Sequence, residues 1–397
     1  MLLSKRIQSI KPSPTLAMNA KAVSMKQSGV DVISFGVGEP DFDTPLHIRE
    51  AAKQAMDDGM TRYTAVGGIP ELKTAIIKKF KKDNDLTYRP EEVMVSCGGK
   101  HVLYNLAQAI LNAGDEVIIP APYWVSYPPI AVLADAKPVT VQTSPRDRFK
   151  LSAETLRRSV TPQTKLLVLN SPSNPTGAVY SKSELEALAE VVLDKDLFVV
   201  SDEIYEKLIY DDIPFCSIAE LGKEIKARTL IVNGVSKTYA MTGWRIGYAA
   251  GDGSVVSAMT KIQSQSTSNP NAIAQKAAVE ALTGPQDSVD EMTRIFSERR
   301  AYLVNRLKGI AGVRCSNPAG AFYAFADFSH YFTKERDGQP ITGSAGLCEY
   351  LLTEAQVALV PGIAFGADDF VRFSFATSLE LIEKGLNRIE AALAKLS

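Results

Sequence analysis

The sequence predicts an α/β protein with a large domain built on a mostly parallel sheet and a smaller α+β domain. Between about residues 90 and 250, short apolar runs alternate with amphipathic helical segments. Continuous apolar strands that alternate with helices are typical of a parallel sheet covered on both faces. The C-terminal part mixes helical and strand patterns, and 397 residues are more than one ordinary core accommodates. We therefore expect two domains.

The alternating region supplies the elements of the predicted sheet. A helix begins near His101 in HVLYNLAQAILNAG, and the apolar run DEVIIPAP follows as a strand. The next strand, TKLLVLNSP, ends near Asn170, and a helix follows in SKSELEALAEVVLDKD, where Ser181 and Glu184 form a capping box. The runs DLFVVSDEIY and RTLIVNGVSK are further buried strands. Ligands of such sheets bind beyond the carboxyl ends of the strands.

The C-terminal part predicts the smaller domain. A long helix over about 285–310 precedes GAFYAFADF, a helix near GLCEYLLTEA, the segments VALVPG and FVRFSFATS, and a last amphipathic helix capped by Thr377 and Glu380. The N-terminal segment up to about Thr44 is expected to cross back to this domain. The predicted division is an N-terminal arm and part of the small domain at 1–44, a large domain at 45–295, and a small C-terminal domain at 296–397.

The composition excludes several classes of function. Lys and Arg number 44 and Asp and Glu number 45, so a formal net charge of −1 gives no broad field for nucleic acid or a membrane surface. No apolar run approaches the ~20 residues that span a bilayer, and MLLSKRIQSIKPSPT does not resemble a signal peptide. Four scattered cysteines and three histidines make a metal site unexpected. Reduced thiols and a cytoplasmic location are favoured.

Two loops rich in glycine or proline follow predicted strands. VMVSCGGKHVLYN places Gly98 and Gly99 between a strand and a helix, where backbone N–H groups can approach an anion such as phosphate. A simple tight turn explains the same pattern. SPSNPTG, from Ser171 to Gly177, fixes an unusual loop that directs Asn174 to a definite place. A rigid turn without a binding role is the alternative.

Three further polar residues lie at strand ends. SDEIY puts Asp202 and Tyr205 directly after an apolar run, and a buried acid there requires a partner, although a helix N-cap also explains Asp202. Lys237 follows the next strand. In an apolar setting its pKa falls and its amine becomes a nucleophile, whereas a lone lysine is ordinarily a surface residue. A phosphate cradle, an acid, a phenol and an amine at one sheet edge together match pyridoxal phosphate.

The chain resembles the class I, fold-type-I pyridoxal-phosphate-dependent aminotransferases in five motifs: FGVGEPDFDTP, YWVSYP, NSPSNPTGAVY, SDEIYEKLIYDD and VSKTYAMTGWRIGY. The motifs occur in order over nearly the whole chain, and they are most similar to those of the prokaryotic aspartate and aspartate/prephenate aminotransferases. The resemblance implies a mostly parallel seven-stranded sheet flanked by helices and a small domain built from both termini. It also implies a homodimer whose subunits share active sites.

The resemblance implies roles for the cofactor-binding residues. Lys237 would hold pyridoxal phosphate covalently and shuttle the proton, and Asp202 would pair with the ring nitrogen. Tyr205 and Asn174 would hydrogen-bond the ring 3-oxygen. Trp124 would stack on the ring, although the residue pattern alone favours a core aromatic. The residues expected at the phosphate are Gly98, Gly99, Lys100, Ser236 and Arg245, with Tyr63 and Thr267 reaching it from the other subunit.

The resemblance implies the substrate contacts as well. Arg372 in FVRFSFA would clamp the substrate α-carboxylate, unless it is a surface arginine on an edge strand. Gly38 would contact the substrate through its backbone, beside Trp124 and Asn174. Lys100, directly after the two glycines, would bind a distal carboxylate.

The N-terminal segment bears on substrate choice. Ser13 and Thr15 fall in the part that closes over such sites, and Lys11 matches a lysine linked with prephenate use or is an ordinary surface lysine. Dicarboxylic specificity is favoured, with ping-pong transfer of the amino group from L-aspartate to 2-oxoglutarate, giving oxaloacetate and L-glutamate. The alternatives are an aspartate/glutamate–prephenate or broader aromatic aminotransferase, and a lyase on the same fold.

Overall fold

The protein has a central seven-stranded sheet and a smaller four-stranded sheet in its C-terminal part, both packed against helices. The structure, a computed structural model, describes residues 3–10, 14–336 and 338–397. Among the described helices, none combines the length and the apolar character that a bilayer crossing requires. In chain order they are α1 (Lys5–Gln8), α2 (Pro14–Gln27), α3 (Leu46–Asp57), α4 (Pro70–Asn84), α5 (Gly99–Ile110), α6 (Tyr127–Leu133), α7 (Ala153–Ser159), α8 (Lys182–Asp194), α9 (Lys223–Ala227), α10 (Gly253–Ser264), α11 (Ala272–Thr283), α12 (Asp287–Gly309), α13 (Gly343–Glu354) and α14 (Leu379–Leu393).

The strands of the described chain form one large sheet and several small ones. In chain order they are β1 (Ile33–Ser34), β2 (Val93–Ser96), β3 (Glu116–Ala121), β4 (Lys137–Gln142), β5 (Thr164–Asn170), β6 (Phe198–Asp202), β7 (Thr229–Gly234), β8 (Gly247–Ala250), β9 (Arg314–Cys315), β10 (Tyr323–Asp327), β11 (Glu335–Arg336), β12 (Gln339–Pro340), β13 (Val357–Ala358), β14 (Val360–Pro361) and β15 (Phe370–Ser374).

The central sheet has seven strands in the order β2-β8-β7-β6-β5-β3-β4. Strands β3 to β7 pair in parallel, whereas β8 is antiparallel to both β7 and β2. The prediction of a mostly parallel seven-stranded sheet is confirmed. Because β5, β6 and β7 are parallel neighbours, their carboxyl ends meet at one edge, with Asn170 paired in register with Asp202.

Helices cover both faces of this sheet. Val93 and Val95 of β2 pack in one apolar core with residues of α4 and α11, whereas Met94 between them packs in another core with residues of α5 and α10. Successive side chains of a strand point to opposite faces, so the sheet is buried on both sides. This two-sided burial explains why the strands are continuous apolar runs and do not alternate with polar residues.

A second, antiparallel sheet lies in the C-terminal part of the chain, with strand order β14-β15-β10-β9. Strand β1 pairs in parallel with β13, and Ile33 and Phe35 share an apolar core with residues of α12, α13 and α14. The N-terminal segment therefore packs against the C-terminal part. The boundaries 1–44, 45–295 and 296–397 stay a prediction, and α12 runs as one helix through residue 295.

Helix caps follow the local sequence signals with one correction. Ser181 and Glu184 form the predicted capping box at the start of α8. The predicted cap of α14 by Thr377 is wrong by one residue, because Ser378 is the N-cap and its Oγ accepts from the Leu381 N–H at 3.2 Å. Both residues are good caps by type, and Ser378 is the one with the extended backbone and the side-chain hydrogen bond of an N-cap in this structure.

Candidate active site

A cavity lies where the carboxyl ends of β5, β6 and β7 face the small sheet. Its volume of about 330 Å³ is within the range of small-molecule sites. The predicted site residues that line it are Gly38, Gly99, Lys100, Trp124, Asn174, Asp202, Tyr205, Ser236, Lys237, Arg245 and Arg372. The structure therefore brings together side chains that are up to several hundred positions apart in the sequence.

Lys237 lies inside this cavity, just after β7. Its Nζ donates a hydrogen bond to the backbone oxygen of Gly38 at 2.5 Å. Burial lowers the pKa of Lys237 to about 8, with the charge of Glu39 opposing the shift and those of Arg245 and Arg372 adding to it. An appreciable fraction of the amine is thus neutral near neutral pH, which a nucleophilic lysine requires. The surface-lysine alternative is excluded by this position.

Asp202 is the last residue of β6, and its carboxylate is buried. The Tyr127 hydroxyl donates to Oδ2 at 2.7 Å, and the backbone N–H of Ile204 makes a longer contact of 3.4 Å with Oδ1. Burial raises the pKa of Asp202 to about 6, while the Tyr127 hydrogen bond and the charge of Lys237 lower it. The residues that follow form turns and not a helix, so Asp202 is not an N-cap. A cationic group in the cavity would keep this carboxylate ionised.

Arg372 is a buried cation in the middle of the small sheet. It lies on β15 between β14 and β10, so the edge-strand alternative is wrong. Its Nη1 donates to Asn174 Oδ1 at 3.0 Å and its Nη2 to the Gly36 oxygen at 2.9 Å, while Nε has no partner in the described chain. The ring centroids of Tyr323 and Phe365 lie 4.4 and 5.1 Å from its guanidinium carbon. A buried guanidinium whose partners among the described residues are neutral provides a site for a carboxylate.

The SPSNPTG loop fixes Asn174. The backbone N–H of Asn174 donates to Asn170 Oδ1 at 2.8 Å, and Asn170 Nδ2 donates to the Asp202 backbone oxygen at 2.9 Å. The Ser171–Pro172 and Asn174–Pro175 peptide bonds are cis. The loop is thus tied to the end of β6, and its buried amide side chain supports Arg372. It is a rigid turn that also faces the cavity.

Gly98 and Gly99 lie at the amino end of α5. Gly98 has φ 94° and ψ 162°, a conformation that only glycine adopts readily, and a Cβ there would lie 2.4 Å from Arg245 Nη2. Arg245 donates to the backbone oxygens of Thr242 and Cys97 at 2.8 and 3.3 Å. A helix amino terminus beside a guanidinium that, within the described residues, is hydrogen-bonded to carbonyl oxygens alone suits an anion.

Trp124 and Lys100 form one wall of the cavity. Trp124 is half-buried and packs edge-on against Tyr127, with the ring centroids 5.3 Å apart. The Lys100 ammonium lies 4.9 Å from the Trp124 ring centroid. Desolvation and then the charge of Arg245 lower the pKa of Lys100. Trp124 therefore presents part of its ring to the cavity, which a wholly internal core aromatic would not do.

Three of the described residues that were predicted for the site, Gly98, Tyr63 and Thr267, are not among those that line this cavity. Tyr63 is 91% exposed, and Thr267 is exposed as well. Lys11 and Ser13 lie outside the described residues. The backbone of Thr15 belongs to α2, and its side chain lies outside what the structure describes. Their roles stay predictions.

The sequence patterns do not identify several of the lining residues, notably Tyr127 and Tyr323. Tyr127 is part of YWVSYP and follows Trp124 by three positions, a spacing that places residues on one side of a helical turn. Tyr323 lies in the aromatic run GAFYAFADF. In each case the pattern is that of ordinary core aromatics, so the available signal was too weak to single them out.

The residues of the cavity fit pyridoxal phosphate. A phosphate would bind at the glycine turn of Gly98, beside the Arg245 guanidinium. A Cβ at position 98 would leave no room for that guanidinium. A ring nitrogen has the buried Asp202 carboxylate, and an aldehyde has the Lys237 amine with its lowered pKa. The donor set thus provides a partner for each reactive part of this cofactor.

Comparison with known proteins places the chain in a family. The family described as aminotransferase class I and II matches residues 30–389, so the chain belongs to it, as its motifs predicted. The chain is 50% identical over 392 residues to an aspartate aminotransferase of Bacillus sp. (strain YM-2), covering 98% of each protein. It is 49% identical over 397 residues to the aspartate/prephenate aminotransferase of Nitrosomonas europaea, covering 99% of this chain and 100% of the relative. The crystal structure of the aspartate aminotransferase from Rhizobium meliloti matches with a TM-score of 0.97 and 46% identity over 100% of both chains.

Proposed function

We propose that this aminotransferase transfers the amino group of L-aspartate to 2-oxoglutarate by a ping-pong reaction, with pyridoxal phosphate as cofactor. The observation that carries the proposal is the convergence of Lys237, Asp202 and Arg372 on one cavity. These side chains supply a usable amine, a buried carboxylate and a carboxylate-binding cation. The names of the Bacillus and Nitrosomonas relatives support aspartate as the amino donor.

The proposed cofactor supplies an aldehyde that binds amines reversibly and a ring that accepts electrons from the substrate α-carbon. The lining residues that would hold it are Gly99, Ser236 and Arg245 at the phosphate, Asp202 at the ring nitrogen, Asn174 and Tyr205 at the 3-oxygen, Trp124 against the ring, and Lys237 at the aldehyde carbon. Gly98 does not line the cavity, but its lack of a side chain leaves room for the Arg245 guanidinium at the phosphate.

Lys237 acts as the proton carrier in this proposal. Its Nζ lies within the cavity, and burial keeps its pKa near that of a base working at neutral pH. The nearby guanidinium groups of Arg245 and Arg372 favour its neutral form. The freed amine can therefore take a proton from the substrate α-carbon and return it at a neighbouring atom.

Arg372 is proposed to orient the substrate through its α-carboxylate. The Asn174 and Gly36 contacts fix the plane of the guanidinium, and Nε remains available among the described donors. A bidentate contact would hold the α-carbon at a constant distance from Lys237. Lys100 is proposed to bind the distal carboxylate, because it is the other lysine in the cavity lining.

A second candidate is the use of prephenate as amino acceptor. It is favoured by the Nitrosomonas europaea relative, which is named for this activity at 49% identity. Prephenate carries two carboxylates, so the same pair of Arg372 and Lys100 could bind it. Both activities can therefore belong to one site.

We also infer a homodimer with shared active sites. The Tyr63 side chain is 91% exposed and does not line the cavity of its own chain, as expected of a residue that completes the site of a second copy. Sedimentation analysis of the pyridoxal-phosphate-loaded protein should give the mass of a dimer. A monomer that retains full activity would rule out this arrangement.

A donor–acceptor panel tests the proposed function. Aspartate, glutamate and phenylalanine serve as donors, with 2-oxoglutarate and prephenate as acceptors. We expect the highest kcat/KM for aspartate with 2-oxoglutarate. If phenylalanine exceeds aspartate, or if no pair supports amino transfer, the assignment is wrong.

A further inference from the structure

We propose that Tyr323 is a positioning residue that sets the hydrogen-bonding state of Tyr205 through its hydroxyl and orients Arg372 through its ring. This inference rests on the proposed function, because it concerns how the residues around the cofactor are held. No motif singled out Tyr323, which lies at the start of β10 and lines the cavity.

The two phenols form a buried hydrogen-bonded pair. The hydroxyl oxygens of Tyr205 and Tyr323 lie 3.0 Å apart, and both residues are buried, at 4% and 1% exposure. Their rings meet edge to face, with centroids 5.9 Å apart and an interplanar angle of 83°. Tyr205 follows β6 of the central sheet and Tyr323 belongs to the small sheet, so this hydrogen bond joins the two sheets beside the cavity.

Counting protons fixes the direction of the bond in the working protein. The two hydroxyls carry one proton each, and one of these protons lies in the bond between them. Only one O–H therefore remains to donate into the cavity. If Tyr205 donates to an acceptor oxygen there, Tyr323 must donate to Tyr205. A hydroxyl that accepts one hydrogen bond becomes a better donor in the next, so Tyr323 would strengthen the contact that Tyr205 makes.

The ring of Tyr323 has a separate task. The centroid of this ring lies 4.4 Å from the guanidinium carbon of Arg372. Arg372 is buried and has no carboxylate partner in the described chain. Such a cation–π contact stabilises the charge and restricts the plane of the guanidinium. The Tyr323 hydroxyl also limits which residue fits at position 38, because a Cβ built on Gly38 would lie 3.0 Å from the hydroxyl oxygen. Gly38 is in turn the acceptor for Lys237.

The two tasks can be separated by substitution. Tyr323→Phe removes the hydroxyl and keeps the ring, whereas Tyr323→Leu removes both. Tyr331→Phe is the matched control. It deletes another buried phenol hydroxyl, which donates to the Ala311 backbone oxygen at 2.7 Å and does not line the cavity.

The experiment uses pyridoxal-phosphate-loaded protein and two readouts besides activity. The first is the pH midpoint of the visible absorbance of the bound cofactor. The second is the Kd of succinate, a four-carbon dicarboxylate, obtained from the change in that absorbance. Tyr323→Phe should raise the midpoint by about half a pH unit, because the cooperative part of a charged hydrogen bond is lost, and should change the succinate Kd by less than about twofold. Tyr323→Leu should also weaken succinate binding by about tenfold. The control should match the wild type in both.

Three results would overturn the inference. One is an unchanged midpoint in a folded Tyr323→Phe protein. Another is an equal loss of succinate affinity in the Phe and Leu variants. The third comes from a double-mutant cycle that does not depend on the stability of one variant: Tyr323→Phe should have no further effect on the midpoint once Tyr205→Phe is present, so additive shifts contradict the relay. A wild type that binds no pyridoxal phosphate would instead overturn the proposed function itself.

Discussion

Replacing Arg372 by lysine tests the substrate clamp while keeping the positive charge. Arg372 donates through Nη1 to Asn174 and through Nη2 to the Gly36 oxygen. The Tyr323 and Phe365 rings pack against its planar guanidinium. Lysine supplies a point charge without the planar fork, so one charge-assisted hydrogen bond to the substrate carboxylate is lost. Such a bond contributes about 1.5–3 kcal/mol, so kcat/KM for aspartate should fall about 10- to 150-fold.

The assay compares aspartate and alanine as amino donors under kcat/KM conditions. Both donors carry the α-carboxylate, so Arg372→Lys should lower kcat/KM for both by a similar factor. Arg314→Lys is the matched control, because the Arg314 side chain is 79% exposed, does not line the cavity and pairs with the largely buried Asp327. The control should change kcat/KM by less than about twofold. A loss confined to aspartate would refute the reasoning, because it would assign Arg372 to the distal carboxylate.

Three further substitutions test Lys100, the glycine turn at Gly98, and Glu203, a buried residue that does not line the cavity. Lys100→Ser should reduce kcat/KM for aspartate about tenfold more than for phenylalanine, and equal losses would remove Lys100 from side-chain recognition. Gly98→Ala should weaken pyridoxal phosphate binding about tenfold or more in an equilibrium titration, because it forces a glycine-only conformation against Arg245; unchanged affinity would count against the phosphate cradle. Burial raises the pKa of Glu203 from 4.5 to about 8. The folded state therefore binds a proton that the unfolded state releases, and the stability of the wild type falls as pH rises from about 4.5 to 8. The Tm of Glu203→Gln should accordingly rise relative to that of the wild type as pH increases across this window. A difference in Tm that stays constant with pH would contradict the raised pKa of Glu203.

The sequence predicts the residues at strand ends better than those within strands or at interfaces. Lys237 and Asp202 could be placed because Asp202 ends one buried strand and Lys237 comes three residues after the next, and parallel strands bring such positions to one edge. Tyr323 could not be predicted as a site residue, because an aromatic residue within a strand gives the same sequence pattern whether its side chain faces a core or a cavity. The antiparallel direction of β8 escaped prediction because its apolar pattern carries no sign of direction.

Other features depend on information beyond the local pattern. The sequence places the cap of α14 one residue too early because Thr377 and Ser378 are both cap-forming types, and the hydrogen bond from the Leu381 N–H to Ser378 Oγ is visible only in the structure. The task predicted for Tyr63 involves a second copy of the chain, which no intrachain contact can reveal. The family motifs predicted the fold and most of the polar residues that line the cavity, because the motifs contain these residues in a fixed order along the chain.

The central claim is that the Lys237 amine performs the chemistry, and a single-turnover experiment on Lys237→Ala tests it most directly. Pyridoxal-phosphate-loaded protein is mixed with aspartate, and the absorbance of the bound cofactor is followed with time. Lys73→Ala is the matched control, because burial also lowers the pKa of Lys73, whose Nζ is hydrogen-bonded to the Pro90 backbone oxygen away from the cavity. We expect wild-type conversion in the control and none in Lys237→Ala. Conversion at the wild-type rate in Lys237→Ala would contradict the central claim.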